Sequence, residues 1–250
     1  MPAIQYRATV ERIDILSYNV RGFRLKFLEP PAMEFKAGQF IILNVPQGLP
    51  AAPDGRGAGA AQAGGAVVKR AYSIASAPHE PHAVELCIQH VEGGAASTYC
   101  WKLKAGDPVS ISGPHGAFLL KEPLDYEPVF LATGTGVAPF RSMIKHLYHR
   151  QFARDFWLLF GTRYEHGLLY ESEFRSLATV RHSFHYLPTV SRPKDWRGET
   201  GHIQQTFQKH VTDVSNKEIY VCGWLEIVKA VCKDLEALGV PKEKLHYEEW

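Results

Sequence analysis

The chain has 250 residues, of which 45% are hydrophobic and 22% are charged, and these proportions exclude a wholly disordered or fibrous protein. The 28 Lys and Arg residues nearly balance the 26 Asp and Glu residues, so the basic excess that is typical of nucleic-acid-binding proteins is missing. No stretch approaches the roughly 20 consecutive apolar residues of a membrane span, and charges interrupt the start of the chain where a signal peptide needs an apolar core. We therefore expect a soluble, cytoplasmic protein.

The first half of the sequence predicts short strands separated by turns. Its runs are rich in Val, Ile, Phe and Tyr, several alternate apolar with polar residues, and Gly, Pro or Asn separate them. The predicted strands span 6–16, 22–27, 40–45, 71–76, 83–89 and 107–112. Six short strands of this kind indicate a small antiparallel barrel or sandwich.

The segment 47–66 interrupts this half. Fifteen of its 20 residues are Gly, Ala or Pro, a composition that cannot bury a core. We interpret it as a mobile surface insertion between two strands, and its role stays open.

After residue 124 the pattern changes to strands that alternate with helices. The predicted strands span 128–133, 156–161, 184–190, 218–223 and 244–249, and the predicted helices span 139–150, 170–179, 202–211 and 225–238. Strictly alternating strands and helices indicate a parallel, doubly wound sheet, here of five strands. A boundary rich in Pro and charged residues near Lys121–Glu127 predicts domains at 1–123 and 124–250.

A glycine-containing turn gives the most informative local signal. Gly134, Thr135 and Gly136 follow an apolar strand and precede a helix that has Pro139 in its first turn. Glycines there let a phosphate approach the backbone, and the start of a helix offers N–H groups and the positive end of its dipole. The alternative is an ordinary tight turn, because neither the common dinucleotide fingerprint nor a P-loop is present.

Two weaker signals lie in the first half. Arg70 and Tyr72 share one side of a predicted strand, where they would bind a phosphate and stack on a flat ring, while Ser73 points to the other side. The alternative is a surface arginine beside a buried tyrosine. Further on, Ser97 or Thr98 would cap a short helix after two glycines and leave N–H groups for an anion, or the helix binds no ligand at all.

The cysteines and histidines do not predict a metal site. Cys87, Cys100, Cys222 and Cys232 form no C-x-x-C pair and have no zinc or iron–sulfur spacing. Histidine pairs at i, i+3 have no acidic or cysteine partner at ligand spacing. We expect reduced thiols, no metal and no attached iron–sulfur segment.

Taken in order, the motifs RAYS, GGAAS, GPHGAF, GTGVAP and CG, followed by a terminal aromatic residue, resemble those of the ferredoxin–NADP⁺ reductase superfamily over nearly the whole chain. The resemblance implies an N-terminal antiparallel six-stranded Greek-key β-barrel that binds FAD and a C-terminal α/β domain with a five-stranded parallel sheet that binds NAD(P).

The resemblance assigns several residues to FAD. Arg70 would bind the pyrophosphate, Tyr72 would lie against the isoalloxazine, and Ser73 would form a hydrogen bond near N5. Trp250 would cover the flavin face that the nicotinamide enters. Backbone N–H groups would be added to the pyrophosphate by a run of four residues, Gly94, Ala95, Ala96 and Ser97.

Other residues are assigned to NAD(P) and to the reacting rings. The pyrophosphate of the nicotinamide nucleotide would lie on Gly134, Thr135 and Gly136. Cys222 and Gly223 would lie beside the nicotinamide. We take Ser73, Cys222 and Glu248 as the candidate catalytic residues, with Glu248 matching a glutamate that many relatives place near the rings.

A basic group favours NADPH over NADH. Ser191 and Arg192 follow a predicted strand and resemble a Ser-Arg pair that binds the 2′-phosphate, and Arg163 and Arg197 would assist them. The alternative reading of Arg192 is a surface arginine before a proline.

The implied activity is hydride transfer from NAD(P)H to FAD, followed by one-electron transfer to ferredoxin, flavodoxin or a similar carrier. We expect the protein to be a monomer. A reductase component of an oxygenase, or a free-flavin reductase, is the alternative within this class. A non-catalytic nucleotide-binding subunit is the alternative from a different class.

Overall fold

A computed structural model describes residues 4–46 and 67–249. The chain divides into two units. The first contains the described residues up to Leu119 together with Arg141–His146, and the second contains Leu120–Phe140 and the described residues from Leu147 onward. The predicted insertion at 47–66 lies outside the described residues. Within the described part of the chain, no helix is long and apolar enough to cross a membrane.

In the described residues, the first unit contains a six-stranded antiparallel sheet and helix α1. The strands are β1 (Ile4–Ser17), β2 (Val20–Glu29), β3 (Phe40–Pro46), β4 (Val67–Ser73), β5 (Ala83–Gln89) and β6 (Pro108–His115), and the helix is α1 (Ala95–Lys102). Their order in the sheet is β4-β3-β6-β1-β2-β5. A bridge between Ile74 and Leu86 joins the end of β4 to β5, so the two edge strands meet and the sheet closes as a barrel.

Alternating side chains fill this barrel. In β1, Tyr6, Ala8 and Val10 point inward and are nearly inaccessible, as the alternation of the sequence predicts. The six predicted strands are confirmed, although several bounds differ by a few residues. The largest difference is at β4, which spans Val67–Ser73 where the sequence predicts 71–76. It is an edge strand with exposed Lys69 and Arg70, so its first half lacks the apolar pattern that marks the other strands.

The second unit contains a sheet with helices. Its strands are β7 (Glu127–Thr133), β8 (Phe156–Thr162), β9 (Phe184–Val190), β10 (Glu199–Thr200), β11 (Lys217–Gly223) and β12 (Leu245–Glu249). Its helices are α3 (Glu171–Val180), α4 (Ile203–His210) and α5 (Leu225–Ala237). Helix α2 (Val137–His149) begins and ends in this unit, while its residues Arg141–His146 belong to the first unit. All strand pairs are parallel, and the central strands β7 and β11 are mostly buried apolar runs, as expected where helices cover a parallel sheet.

The strand order is β10-β9-β8-β7-β11-β12, so the sheet has six strands where the sequence predicts five. The additional strand is β10, whose two residues are too few to show any periodicity. From β7 the chain adds β8, β9 and β10 on one side, and β11 and β12 are then added on the other side of β7. The topological switch point therefore lies between β7 and β11. In open parallel sheets, ligands bind at the carboxyl ends of the two strands that flank such a switch point.

Candidate functional site

Strand β4 carries the first group of predicted site residues. Arg70 is exposed, and its Nη1 donates to the carbonyl of Lys69 at 2.9 Å. Tyr72 is half-buried against the barrel core, and burial raises the pKa of its hydroxyl. Ser73 ends the strand and is 7% exposed. The structure therefore presents a cation and an aromatic ring on one strand, with a small buried hydroxyl beside them.

The hydroxyl of Ser73 has no hydrogen-bond partner among the described residues, although the atom is buried. An unpaired buried hydroxyl typically costs about 1–3 kcal/mol, so such groups usually have a partner. The Ser73 Oγ is therefore available to form a hydrogen bond with a polar ligand atom. This fits the predicted contact with a flavin.

Helix α1 packs against β4. Its N-cap is Gly94, which has no side chain that could cap the helix. A Cβ at Gly94 would lie only 2.9 Å from the Ser97 hydroxyl and 3.0 Å from the Val91 carbonyl, so the close turn favours glycine. Gly94 therefore offers no side chain to accept the N–H groups of the first turn, which include those of Ala95 and Ala96. These N–H groups are suited to binding an anion.

The prediction that Ser97 or Thr98 caps α1 is wrong. The Ser97 hydroxyl instead donates its one hydrogen to the carbonyl of Val91 or of Gly94, and it accepts the N–H of Val91 at 3.1 Å. The Ser97 side chain therefore stabilises the turn, because it fixes the loop that leads into the helix.

The glycine turn lies at the switch point of the second unit. Gly134–Gly136 form a 3₁₀ turn directly after β7, and α2 follows at once. A Cβ on Gly136 would lie 2.4 Å from the carbonyl oxygen of Cys222, and a Cβ on Gly223 would lie 2.2 Å from Thr133 Oγ1. Side chains at these two positions would therefore push apart the ends of β7 and β11, which together form a close-packed glycine cradle.

Cys222 and Glu248 are neighbours at this edge of the sheet. Cys222 pairs with Ala132 on β7 and with Glu248 on β12. The Cys222 side chain is buried, at 1% exposure. The Oε2 atom of Glu248 is buried and has no hydrogen-bond partner among the described residues, and burial raises the pKa of this carboxyl to about 7. Glu248 can therefore hold a proton near neutral pH.

Two loops bring the predicted 2′-phosphate residues together. The N–H of Ser191 donates to the Thr162 carbonyl at 2.9 Å, and the N–H of Arg192 donates to the Arg163 carbonyl at 2.8 Å. Both arginines are exposed. Glu165 also holds the loop after β9, because its carboxylate accepts the backbone N–H groups of Lys194 and Asp195. Arg163 and Arg192 thus form a two-residue basic group at the ends of β8 and β9.

These residues follow one another along the carboxyl edge of the sheet. The order of strand ends is β9, β8, β7 and β11, so Arg192 and Arg163 come first, then the glycine turn, then Cys222 and Gly223. Neighbouring strands are about 4.8 Å apart, so the three steps cover about 14 Å. This arrangement fits an extended dinucleotide with a phosphate at one end.

The sequence patterns did not indicate two features of the second unit. One is Glu165, which fixes the loop of Arg192 and belongs to no motif. The other is a surface cleft of about 540 Å³ beside the same loop, lined by Arg175, Asp195, Trp196, Arg197 and Gly198. Its walls come from a helix and a loop, which no sequence spacing connects. The predicted contact of Trp250 lies outside the described residues, and the described part of the chain contains no group of three His, Cys, Asp or Glu side chains suited to a metal.

Comparison with known proteins decides the family. Residues 59–119 match the oxidoreductase FAD-binding domain, and residues 130–233 match the oxidoreductase NAD-binding domain. The chain is 32% identical over 254 residues to ferredoxin–NADP reductase B of Sorangium cellulosum, covering 98% of this chain and 97% of that protein. The chain belongs to the ferredoxin–NADP reductase family. It is an oxidoreductase that uses FAD and NAD(P)H.

Two further proteins show how the fold of this reductase is used elsewhere. It is 34% identical over 224 residues, 87% of its length, to phenol hydroxylase P5 protein of Acinetobacter pittii, but it spans only 58% of that protein. The crystal structure of the Amycolatopsis cytochrome P450 reductase GcoB superimposes with a TM-score of 0.84 at 26% identity, covering 99% of this reductase and 70% of GcoB. The two-domain fold is thereby confirmed.

Proposed function

We propose that this reductase transfers a hydride from NADPH to FAD and passes the electrons, one at a time, to a small carrier protein such as ferredoxin or flavodoxin. The observation that carries the proposal is the order of groups at the carboxyl edge of the second sheet. Two arginines, a glycine cradle and a buried cysteine beside a carboxyl follow one another in the order in which a 2′-phosphate, a pyrophosphate and a nicotinamide occur in NADPH.

In the first unit, the residues of β4 and α1 would hold FAD. Arg70 would form charge-assisted bonds with the pyrophosphate, together with the N–H groups at the start of α1. Tyr72 would supply a flat face for the ring, and the Ser73 hydroxyl would bond near N5. Bound FAD supplies the redox chemistry by accepting two electrons as a hydride and releasing them singly.

In the second unit, each residue type has a defined task. The glycine cradle would let the nucleotide's pyrophosphate lie against the backbone at the start of α2. Cys222 would present a small polarizable surface to the nicotinamide. Glu248 would hold a proton on Oε2, since its raised pKa keeps much of the carboxyl neutral near pH 7.

The preference for NADPH rests on Arg163, Ser191 and Arg192. A phosphate dianion between two guanidinium groups gains charge-assisted hydrogen bonds that a ribose hydroxyl cannot form. The backbone bonds between the two loops support this assignment, because they hold the arginines on neighbouring strand ends.

The acceptor is assigned from the relatives. Similarity to ferredoxin–NADP reductase B extends over nearly all of both chains and supports a carrier protein. A second candidate is electron delivery to an oxygenase, which the similarity to phenol hydroxylase P5 protein favours. We place it second because the similar region spans only part of that protein.

The test follows electrons from donor to acceptor under anaerobic conditions. The purified, FAD-loaded protein is mixed with NADPH or NADH, and then with ferredoxin, flavodoxin or free FMN. The proposal predicts faster reduction by NADPH and reoxidation by one of the two carriers. Reoxidation by free FMN alone would instead identify a free-flavin reductase, and no reduction by either nucleotide would identify a non-catalytic subunit.

A further inference from the structure

A buried cation, the guanidinium of Arg141, contacts the segment that follows Ser73 at the end of β4. Arg141, on α2, belongs to the first unit and is only 7% exposed. Its Nη1 donates to the carbonyl of Ala75 at 2.9 Å and to Oε2 of Glu85 at 2.5 Å. Placing a cation here is costly unless it is paired, so the carboxylate and the carbonyl together define one position for the guanidinium.

Glu85 is fully engaged as the partner of this cation. Its Oε2 binds Arg141, and its Oε1 accepts from Arg24 at 3.2 Å. The backbone of Glu85 also holds the segment after β4, because its carbonyl accepts the N–H of Ala75 at 2.7 Å and its N–H donates to Ser76 Oγ at 3.0 Å. Arg141 and Glu85 therefore fix both polar backbone groups of Ala75.

Ala75 is two residues beyond Ser73, at the place where the chain changes its pairing partner. Ser73 pairs with Phe40 on β3, whereas Ile74 bridges to Leu86 on β5. Ile74 is completely buried, so the short connection has no room to absorb a displacement. A shift of the Ala75 carbonyl would thus move the unpartnered Ser73 hydroxyl.

We propose that Arg141 is a positioning residue for hydride transfer, which acts by fixing the Ala75 carbonyl and thereby the Ser73 hydroxyl against FAD. This inference rests on the proposed function. Lysine cannot replace the arginine, because it is a point charge on a flexible chain and lacks the planar donor fork. Misplacing a reacting group by about 1 Å can cost on the order of 100-fold in rate, so a partial displacement should slow hydride transfer about 10-fold.

The experiment is a double-mutant cycle with Arg141→Lys and Ser73→Ala, measured by single-turnover reduction of the FAD-loaded protein at saturating NADPH. Arg141→Lys should slow hydride transfer about 10-fold, with less than about a twofold change in the dissociation constant of NADPH. In the Ser73→Ala background, Arg141→Lys should slow hydride transfer by less than about twofold, because the hydroxyl through which Arg141 acts is gone. The visible absorption of bound FAD should shift in the same direction in both single variants.

Arg24→Lys is the matched control. Arg24 binds the same carboxylate but makes no bond to Ala75, so its variant should reduce FAD at the wild-type rate. If Arg141→Lys does not fold, Glu85→Gln tests the same anchor, because it weakens the hold on the guanidinium while leaving the backbone bonds in place.

Two results would overturn the inference while leaving the proposed function standing. One is wild-type hydride transfer in Arg141→Lys. The other is an equal slowing by this substitution with and without the Ser73 hydroxyl, which would assign Arg141 a purely structural role. Failure of NADPH to reduce the wild-type protein would overturn the proposed function itself.

Discussion

Replacing Glu248 by Gln should make the protein more stable at alkaline pH and leave its stability almost unchanged in acid. Burial raises the pKa of this carboxyl from the ordinary value of 4.5 to about 7. The folded protein therefore keeps a proton that the unfolded chain releases between those two values, and stability falls as the pH rises through this window. Each pKa unit corresponds to about 1.4 kcal/mol, so the full effect above pH 7 is about 3 kcal/mol.

Urea unfolding at pH 4 and pH 8, followed by tryptophan fluorescence, measures this effect. The difference in unfolding free energy between Glu248→Gln and wild type should increase by about 3 kcal/mol from the lower to the higher pH. Glu249→Gln is the control, because Glu249 is the exposed neighbour on the same strand and its variant should follow wild type. A difference that does not change with pH would refute a buried, proton-holding Glu248.

The other predictions concern single residues of the two sites. Arg70→Ala should weaken FAD binding about 10- to 100-fold, measured by titrating apoprotein with FAD, because a charge-assisted bond contributes about 1.5–3 kcal/mol; unchanged binding would argue against the pyrophosphate role. Ser73→Ala should slow reduction by NADPH about 10-fold while the free energy of urea unfolding changes by less than about 1 kcal/mol, since the hydroxyl has no hydrogen-bond partner in the described part of the chain; full-speed reduction would remove Ser73 from the mechanism. Arg192→Ala should raise the KM for NADPH about 10-fold or more and leave the KM for NADH nearly unchanged, and equal effects would contradict the phosphate assignment. Gly136→Ala should impair binding of both nucleotides, because its Cβ would lie 2.4 Å from a carbonyl oxygen, and normal binding would mean that the cradle is not used.

The sequence predicted most of the fold because both periodic patterns are strong. Alternation along the first half and the strand–helix repeat along the second give every strand of more than two residues, including β9, whose predicted bounds are the observed ones. The short β10 was missed, since two residues carry no period. The start of β4 was also missed, because an edge strand with exposed Lys69 and Arg70 does not alternate like a half-buried one.

The site was predictable where a motif combines glycine with a strand end, and not where it depends on tertiary contacts. The turn at Gly134–Gly136 lies at the switch point because the strand–helix pattern fixes its place. By contrast, the pairing of Arg141 with Glu85 joins positions 56 residues apart, and no spacing relates them. The one local sign is an arginine inside the apolar start of α2, where a charge must find a buried partner.

The central claim is that one chain binds both FAD and NADPH and passes a hydride between them. Anaerobic stopped-flow reduction by NADPH deuterated at C4 tests this claim most directly. Flavin absorbance should disappear in a phase whose rate saturates with nucleotide concentration and falls when deuterium replaces the transferred hydrogen. An FAD-loaded protein that stays oxidised with NADPH and with NADH would show that no hydride is transferred.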